Sequence, residues 1–189
     1  MSYEELSPED TNAFITQVRD ESLPGLFNSD YCKLYRTPFS FYKNGFLLTL
    51  ENHTVAPPFT LEYFQSGDTV VYIDGGHEPF HLLNQNGCLI LNESNVIDYL
   101  EFYCQCVNQR PKNILLLRNP DTMPYQDTVY IDFHFDKNNY GEKDFKVRRN
   151  DADNGYIVEA PFVFAGKIDP GIAQISDTGD IHIERVHQR

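Results

Sequence analysis

Three Asn-Gly dipeptides, each followed by an apolar segment, constrain the fold more than any other feature of this sequence. They are Asn44-Gly45, Asn86-Gly87 and Asn154-Gly155. A type I′ turn requires a positive φ at both central residues, and Asn followed by Gly adopts this conformation readily, so the pair is a strong signal for a β-hairpin. The sequence therefore predicts a chain built largely from antiparallel hairpins.

Alternation of apolar and polar residues beside these turns predicts the strands, because a period of two is the pattern of a half-buried strand. Residues 39–43 and 46–50 flank the first Asn-Gly turn, and a turn at residues 66–68 separates 59–63 from 70–73. Further strands are predicted at residues 78–83, 88–91, 114–117, 129–135, 156–164, 172–175 and 181–183.

Two segments have helical spacing instead. Ser7 is suited to an N-cap and the proline after it to the first turn, which predicts a short N-terminal helix over about residues 8–19. A second set of apolar residues predicts one central helix over about residues 94–108, with Asn92 or Ser94 as its cap.

The predicted fold class is α+β, with a predominantly antiparallel sheet of hairpins and meander strands. No internal repeat, low-complexity tract or linker divides the sequence, so we expect a single globular domain over residues 1–189. At this length, folding buries roughly 70% of the surface of the unfolded chain, which is enough for a proper core.

Residues 74–81, DGGHEPFH, contain the letters of the zinc-protease motif H-E-x-x-H. In those proteases one helical turn brings both histidines to the zinc ion, and the glutamate acts as general base. A third ligand is required, and the available acids are Glu93 and Glu101, the latter at a spacing similar to that of thermolysin-like zinc peptidases. The flanking glycines and Pro79 leave room for at most about two helical turns.

The favoured interpretation of this stretch is a turn at Gly75-Gly76 followed by a strand over residues 78–83. In a strand, His77 and His81 share a face but lie about 13 Å apart, so they cannot bind one ion together. A short helix without metal is the second alternative, and a zinc site is the third. The sequence therefore predicts no metal and no cofactor, and it keeps both histidines as candidate ligand-binding residues.

Three other patterns are interpreted as structural. Cys104 and Cys106 lie in the predicted central helix, where residues two apart point about 200° away from each other, so we expect core residues and not a metal pair. The triplet at residues 177–179 has the letters of the aspartic protease motif, but it has no second copy and is predicted to be a hairpin turn. Residues 151–155 match only the start of a calcium loop and are predicted to be a polar turn.

Asp132 and His134 form the remaining candidate pair, side by side on the polar face of the strand predicted over residues 129–135. A histidine next to a carboxylate can act as a general base, or the two can simply be a surface pair. We expect the surface pair, and we keep both residues as ligand-binding candidates. A cleft, if present, is expected where this strand meets the DGGHEPFH turn.

The formal net charge of −13 sets the partners that the sequence favours. Such a charge repels phosphate backbones and anionic lipids, so nucleic acid and membrane surfaces are not expected as partners. The one dense basic stretch, residues 143–149, is predicted to be an exposed strand, with a basic docking patch as the alternative. The chain shows no secretory signal pattern and no run of about 20 apolar residues, so we expect a cytoplasmic protein.

No assembled catalytic motif is present, since the sequence contains neither G-x-S-x-G nor a glycine-rich phosphate loop. Aromatic residues make up 14% of the chain, and such residues are common in interface cores. The sequence therefore favours a non-enzymatic interaction or adaptor protein that binds another protein or a second copy of itself. The alternative is a small-ligand-binding protein or hydrolase with a pocket built from His77, His81, Asp132 and His134.

Overall fold

The computed structural model describes residues 3–18, 27–85, 87–107, 114–118, 145–152 and 154–186, and it confirms the predicted α+β class. This part of the chain forms three helices and two antiparallel sheets. The helices are α1 (Pro8–Gln17), α2 (Glu78–Gln85) and α3 (Val96–Cys106). The strands are β1 (Glu4–Glu5), β2 (Cys32–Pro38), β3 (Gly45–Asn52), β4 (Phe59–Ser66), β5 (Thr69–Tyr72), β6 (Ile114–Leu116), β7 (Lys146–Asn150), β8 (Gly155–Phe164), β9 (Lys167–Ile175) and β10 (Ile181–Arg185).

The chain forms two compact units, of which the first comprises Met1–Asp74 and Asn86–Ile90. Its sheet is a five-stranded meander in the order β1-β2-β3-β4-β5, and every neighbouring pair is antiparallel. The predicted strands at 46–50, 59–63 and 70–73 are thereby confirmed. That residues 1–189 form a single domain stays a prediction.

The core of the first unit lies between α1 and one face of its sheet. Phe14 and Ile15 of α1 pack with a cluster of buried sheet residues, and Phe14 meets Tyr63 edge to face, with ring centroids 5.2 Å apart. The predicted N-cap is confirmed, because the backbone N–H of Asp10 donates to Ser7 Oγ over 3.1 Å. The sheet residues of the cluster are Cys32, Leu34, Leu48, Leu50 and Tyr63.

The strand predicted over residues 39–43 is wrong. The first hairpin joins β2 to β3 with Pro38 opposite Phe46, so residues 39–44 form its connection, and Asn44 has the expected positive φ of 55°. The aromatic side chains of the connection are buried instead of alternating: Phe39 and Tyr42 both pack on Phe64, with centroids 5.1 and 5.4 Å apart. Apolar alternation here reflected an aromatic cluster and not a pleated strand.

The strand predicted over residues 88–91 is also wrong in its pairing. The Asn86-Gly87 hairpin signal predicts that it pairs with residues 78–83, but it makes a single bridge between Leu89 and Tyr42. Backbone hydrogen bonds from Lys43 N to Cys88 O and from Ile90 N to Phe41 O hold it beside the first hairpin connection.

The second unit comprises Gly75–Gln85 and Leu91–Arg189. Its sheet has the order β10-β9-β8-β6, and β7 pairs with the part of β8 that β6 leaves open. The predicted strands near 156–164, 172–175 and 181–183 are confirmed, and Asn154 has a positive φ of 55° in the turn before β8. The strand predicted over 129–135 lies outside the described residues.

Helix α3 is the predicted central helix, and its apolar side packs against β6. Cys104 and Cys106 are both buried, which confirms them as core residues. The predicted caps were wrong, because Asn95 occupies the N-cap position, while Asn92 Oδ1 instead accepts from the Ser94 backbone N–H over 2.9 Å. No helix among the described residues is long and apolar enough to cross a membrane.

Gly171 in β9 leaves no room for a side chain, because a Cβ atom built there would lie 2.6 Å from the Phe162 ring and 3.1 Å from the Glu184 carbonyl oxygen. We therefore expect Gly171→Ala to lower the free energy of unfolding by about 1–3 kcal/mol, the usual cost of overpacking. Chemical denaturation measures this. Gln174→Ala on the same strand is exposed and should change stability by less than about 0.5 kcal/mol; equal effects of the two variants would contradict the assigned packing.

Candidate functional site

The strand predicted over residues 78–83 is wrong, because these residues belong to the helix α2. Glu78 and Pro79 occupy its first turn. The helix dipole stabilises a carboxylate there, and a proline is tolerated because the N–H groups of the first turn make no hydrogen bond within the helix. Phe80 and Leu83, three residues apart, are both buried on one side of the helix. The helical spacing of these apolar residues decides the structure in favour of the helix alternative.

The two candidate histidines have separate partners. His77 Nδ1 and the Tyr103 hydroxyl share a hydrogen bond of 2.5 Å. His81 lies one turn further, where Gln85 Nε2 donates to its Nε2 over 2.8 Å. Both histidines are exposed. The structure therefore places both rings on or beside α2 but links them to different side chains.

The third ligand required by the zinc hypothesis has another role. Glu101 Oε2 accepts from Arg118 Nη1 over 3.1 Å, and the same nitrogen donates to Asp98 Oδ1 over 2.6 Å. Among the described residues, no group of three or more His, Cys, Asp or Glu side chains could hold a metal ion. Residues 78–85 are thus helical, but His77 precedes the helix and Glu101 is held by an arginine.

Tyr103 is the titratable residue whose environment bears most directly on His77, because its hydroxyl is the hydrogen-bond partner of that ring. Burial, with smaller contributions from the nearby Cys104 and Asp180, raises its pKa from the ordinary value of 10.0 to about 12. Its ring packs edge to face on Phe80, with centroids 5.1 Å apart. Tyr103 therefore keeps its proton at neutral pH and can donate it in a hydrogen bond to His77.

The turn between β9 and β10 is confirmed as the hairpin turn predicted from residues 177–179. Thr178 Oγ1 donates to Asp180 Oδ2 over 2.9 Å, and the Asp180 backbone N–H donates to Ser176 Oγ over 2.9 Å. The buried Tyr99 hydroxyl donates to the Gly179 carbonyl over 2.6 Å and accepts from Asn84 Nδ2 over 3.0 Å. These bonds connect the turn to both α2 and α3.

The other candidate residues, Asp132 and His134, lie outside the described residues. The hypothesis that they join His77 and His81 in one pocket stays a prediction. Two cavities in the described part of the chain have volumes of about 270 and 390 Å³, and neither is lined by His77 or His81.

The edges of the two sheets differ in how they are protected. Charged residues on an edge strand, or cover by another element, prevent a further strand from pairing with it. Strands β1, β7 and β10 all carry charged residues, and β6 packs against α3. Strand β5, with the sequence Thr-Val-Val-Tyr, carries no charge, and its Tyr72 is 48% exposed. Within the described residues, β5 is the least protected edge.

The register of β5 decides which of its backbone groups face outward. Ser66 pairs with Thr69 across the two-residue turn, and the Ile73 N–H donates to the Glu62 carbonyl over 3.0 Å. Since hydrogen-bonded residues alternate along an antiparallel pair, Thr69, Val71 and Ile73 direct their N–H and C=O groups toward β4. Val70 and Tyr72 therefore direct theirs away from the sheet, toward any added strand.

Sequence reasoning predicted the strand at residues 70–73 but not its role as an edge. The signal in the sequence was an apolar segment between Asp68 and Asp74 with no charge inside it. The same pattern is equally typical of a central strand, which is buried on both sides. Tyr103 likewise belongs to the apolar spacing of the predicted central helix, and that spacing gives no sign of its hydrogen bond to His77.

Because the pKa of Tyr103 is raised, the free energy of unfolding depends on pH above 10.0, the ordinary pKa of the tyrosine side chain. Between about pH 10 and pH 12 the unfolded chain loses the phenol proton while the folded chain keeps it, so the free energy of unfolding falls as pH rises. We expect Tyr103→Phe to reduce this fall, measured by denaturation at pH 9 and pH 11. An unchanged difference between the two pH values would contradict the assignment.

The outward direction of Val70 predicts an asymmetric response to proline. Val70→Pro removes an N–H that makes no bond to β4, and an edge strand tolerates proline at such a position. Val71→Pro removes a bond to Phe64 and should cost about 3 kcal/mol or more. Denaturation curves of the two variants test this, and a Val70→Pro variant as unstable as Val71→Pro would show that the assigned register is wrong.

Comparison with known proteins gives no relative from which a function could be carried over. No protein-family model matches the chain, and neither a curated protein nor a solved structure matches it.

Proposed function

We propose that this protein is a non-enzymatic interaction protein that binds an extended segment of another protein at β5. The uncharged, half-exposed edge of the first sheet is the observation that supports this function. In strand addition, the backbone groups of the edge provide affinity, and the side chains of alternate residues provide specificity. At β5 the outward N–H and C=O groups of Val70 and Tyr72 supply the affinity, and the exposed Tyr72 ring supplies the specificity.

The side chains around this edge fit an interaction surface. Tyr72 packs beside Tyr63, with ring centroids 5.4 Å apart, which holds the exposed ring in place. Val70 is partly buried against the core cluster, so the strand beneath the surface is firmly anchored. A tyrosine held in this way presents a large contact area at little cost in conformational entropy.

The net charge of −13 supports the choice of a protein as the partner. Nucleic acid and anionic membrane surfaces are repelled by such a charge, so we expect the protein to bind neither. We place the protein in the cytoplasm on the sequence features given above. An acidic protein of this kind meets basic segments of other proteins most favourably.

A second candidate function is a small-ligand-binding protein or hydrolase that uses His77, His81, Asp132 and His134. One observation favours it, the hydrogen bond between His77 and the desolvated Tyr103 hydroxyl. A hydrolase screen of the wild type and of Tyr103→Phe tests this function. Activity that is lost in Tyr103→Phe would favour it over the interaction protein.

The interaction function is tested by peptide selection on the full-length protein. We expect a random peptide display library to yield peptides rich in β-branched and aromatic residues. Their binding should weaken by about tenfold or more in Val70→Pro, because the variant loses an outward donor and its ring blocks the approach of a strand. Val70→Thr keeps the N–H and a similar shape, so it serves as the matched control.

Selected peptides that bind wild type and Val70→Pro equally would contradict strand addition at β5. A selection that enriches no peptide would contradict the function as well. Loss of binding in both Val70→Pro and Val70→Thr would show that the valine side chain, and not the edge, is recognised.

A further inference from the structure

We propose that the occupant of the β5 edge is an extended, basic segment of a different protein and not a second copy of this chain. This inference rests on the proposed function and names the chemistry of the partner. Its basis is the position of the carboxylates around the β5 edge. These carboxylates favour a basic segment and disfavour a second copy of this acidic chain.

One carboxylate lies at the start of the strand. Asp68 is the second residue of the two-residue turn between β4 and β5, it is exposed, and no described residue forms an ion pair with it. An added antiparallel strand that pairs with Val70 and Tyr72 ends beside this turn. A lysine or arginine at that end of the partner would therefore lie close to the Asp68 carboxylate.

A second carboxylate lies on the sheet face behind the edge. Glu62 is on the same face as Val71, one strand further in, so an added strand would run about 10 Å from it, two strand spacings away. It is partly buried, burial raises its pKa, and no described residue forms an ion pair with it. A long basic side chain from the partner, lying across the β5 residues of this face, can reach Glu62 and place a cation beside its carboxylate.

A second copy fits this edge poorly. Two antiparallel β5 strands use all of their outward groups when Val70 of each pairs with Tyr72 of the other. That register places Asp68 of each copy directly opposite Asp74 of the other, at both ends of the pair. Like charges directly opposite each other destabilise a strand pair, and the net charge of −13 on each chain adds to the repulsion.

A pair of designed peptides tests the charge of the partner on the full-length protein. One is acetyl-KTVTVTK-amide, and the other has glutamate in place of both lysines. We expect the lysine peptide to bind more tightly than the glutamate peptide in fluorescence anisotropy, with a preference that falls as salt is added. The variant Asp68→Lys should weaken the lysine peptide about threefold, in line with one exposed ion pair, and strengthen the glutamate peptide.

The matched control is Asp177→Lys, which makes the same change in net charge at an exposed turn of the second sheet. It should leave the difference between the peptides nearly unchanged. Equal effects of Asp68→Lys and Asp177→Lys would overturn the local charge argument.

The outcomes separate this inference from the function on which it rests. If the two peptides bind equally and both lose binding in Val70→Pro, the edge accepts strands but the basic partner is overturned. If neither peptide responds to Val70→Pro, the proposed function fails and this inference fails with it. A wild-type dimer in analytical ultracentrifugation that dissociates in Val70→Pro would identify a second copy as the occupant and overturn the proposal.

Discussion

The two-residue turn at Gly67 and Asp68 fixes the register between β4 and β5, and the candidate surface depends on that register. Gly67 has a positive φ of 57°, which a glycine adopts without strain, and nothing lies within 4 Å of where its Cβ would be. A shift of one residue would exchange the inward and outward backbone groups of the whole strand. It would also move Val70 out of the core cluster, so burial and turn geometry specify the same register.

Two tyrosines of α3 show how position along one helix separates a structural role from a chemical one. Tyr99 is fully buried, and its hydroxyl both donates and accepts, so its polar end is satisfied inside the protein. Tyr103, one turn later, is only partly buried and shares its hydroxyl with an exposed histidine. The first ties α3 to the β9–β10 turn, while the second leaves a protonated phenol near the surface.

The fold class and most of the strands could be predicted from residue patterns, because turn dipeptides and period-two alternation are local signals. The failures have particular causes. Residues 39–43 alternate in sequence but serve as an aromatic connection packed on Phe64, a contact with a distant strand. Residues 78–83 were assigned to a strand because Gly75-Gly76 and Asn86-Gly87 are turn signals, yet the burial of Phe80 and Leu83 makes a two-turn helix more stable.

The sequence alone determined that this chain is acidic, that its strands are joined by tight turns, and that Cys104 and Cys106 belong to a helix core. These properties depend on composition and on neighbours a few residues apart. Only the tertiary structure decided that β5 is an edge, that Glu101 pairs with Arg118, and that His77 meets Tyr103. Each of these depends on which distant segments lie side by side, and sequence spacing carries no information about that because strand order and helix packing are set by the whole core.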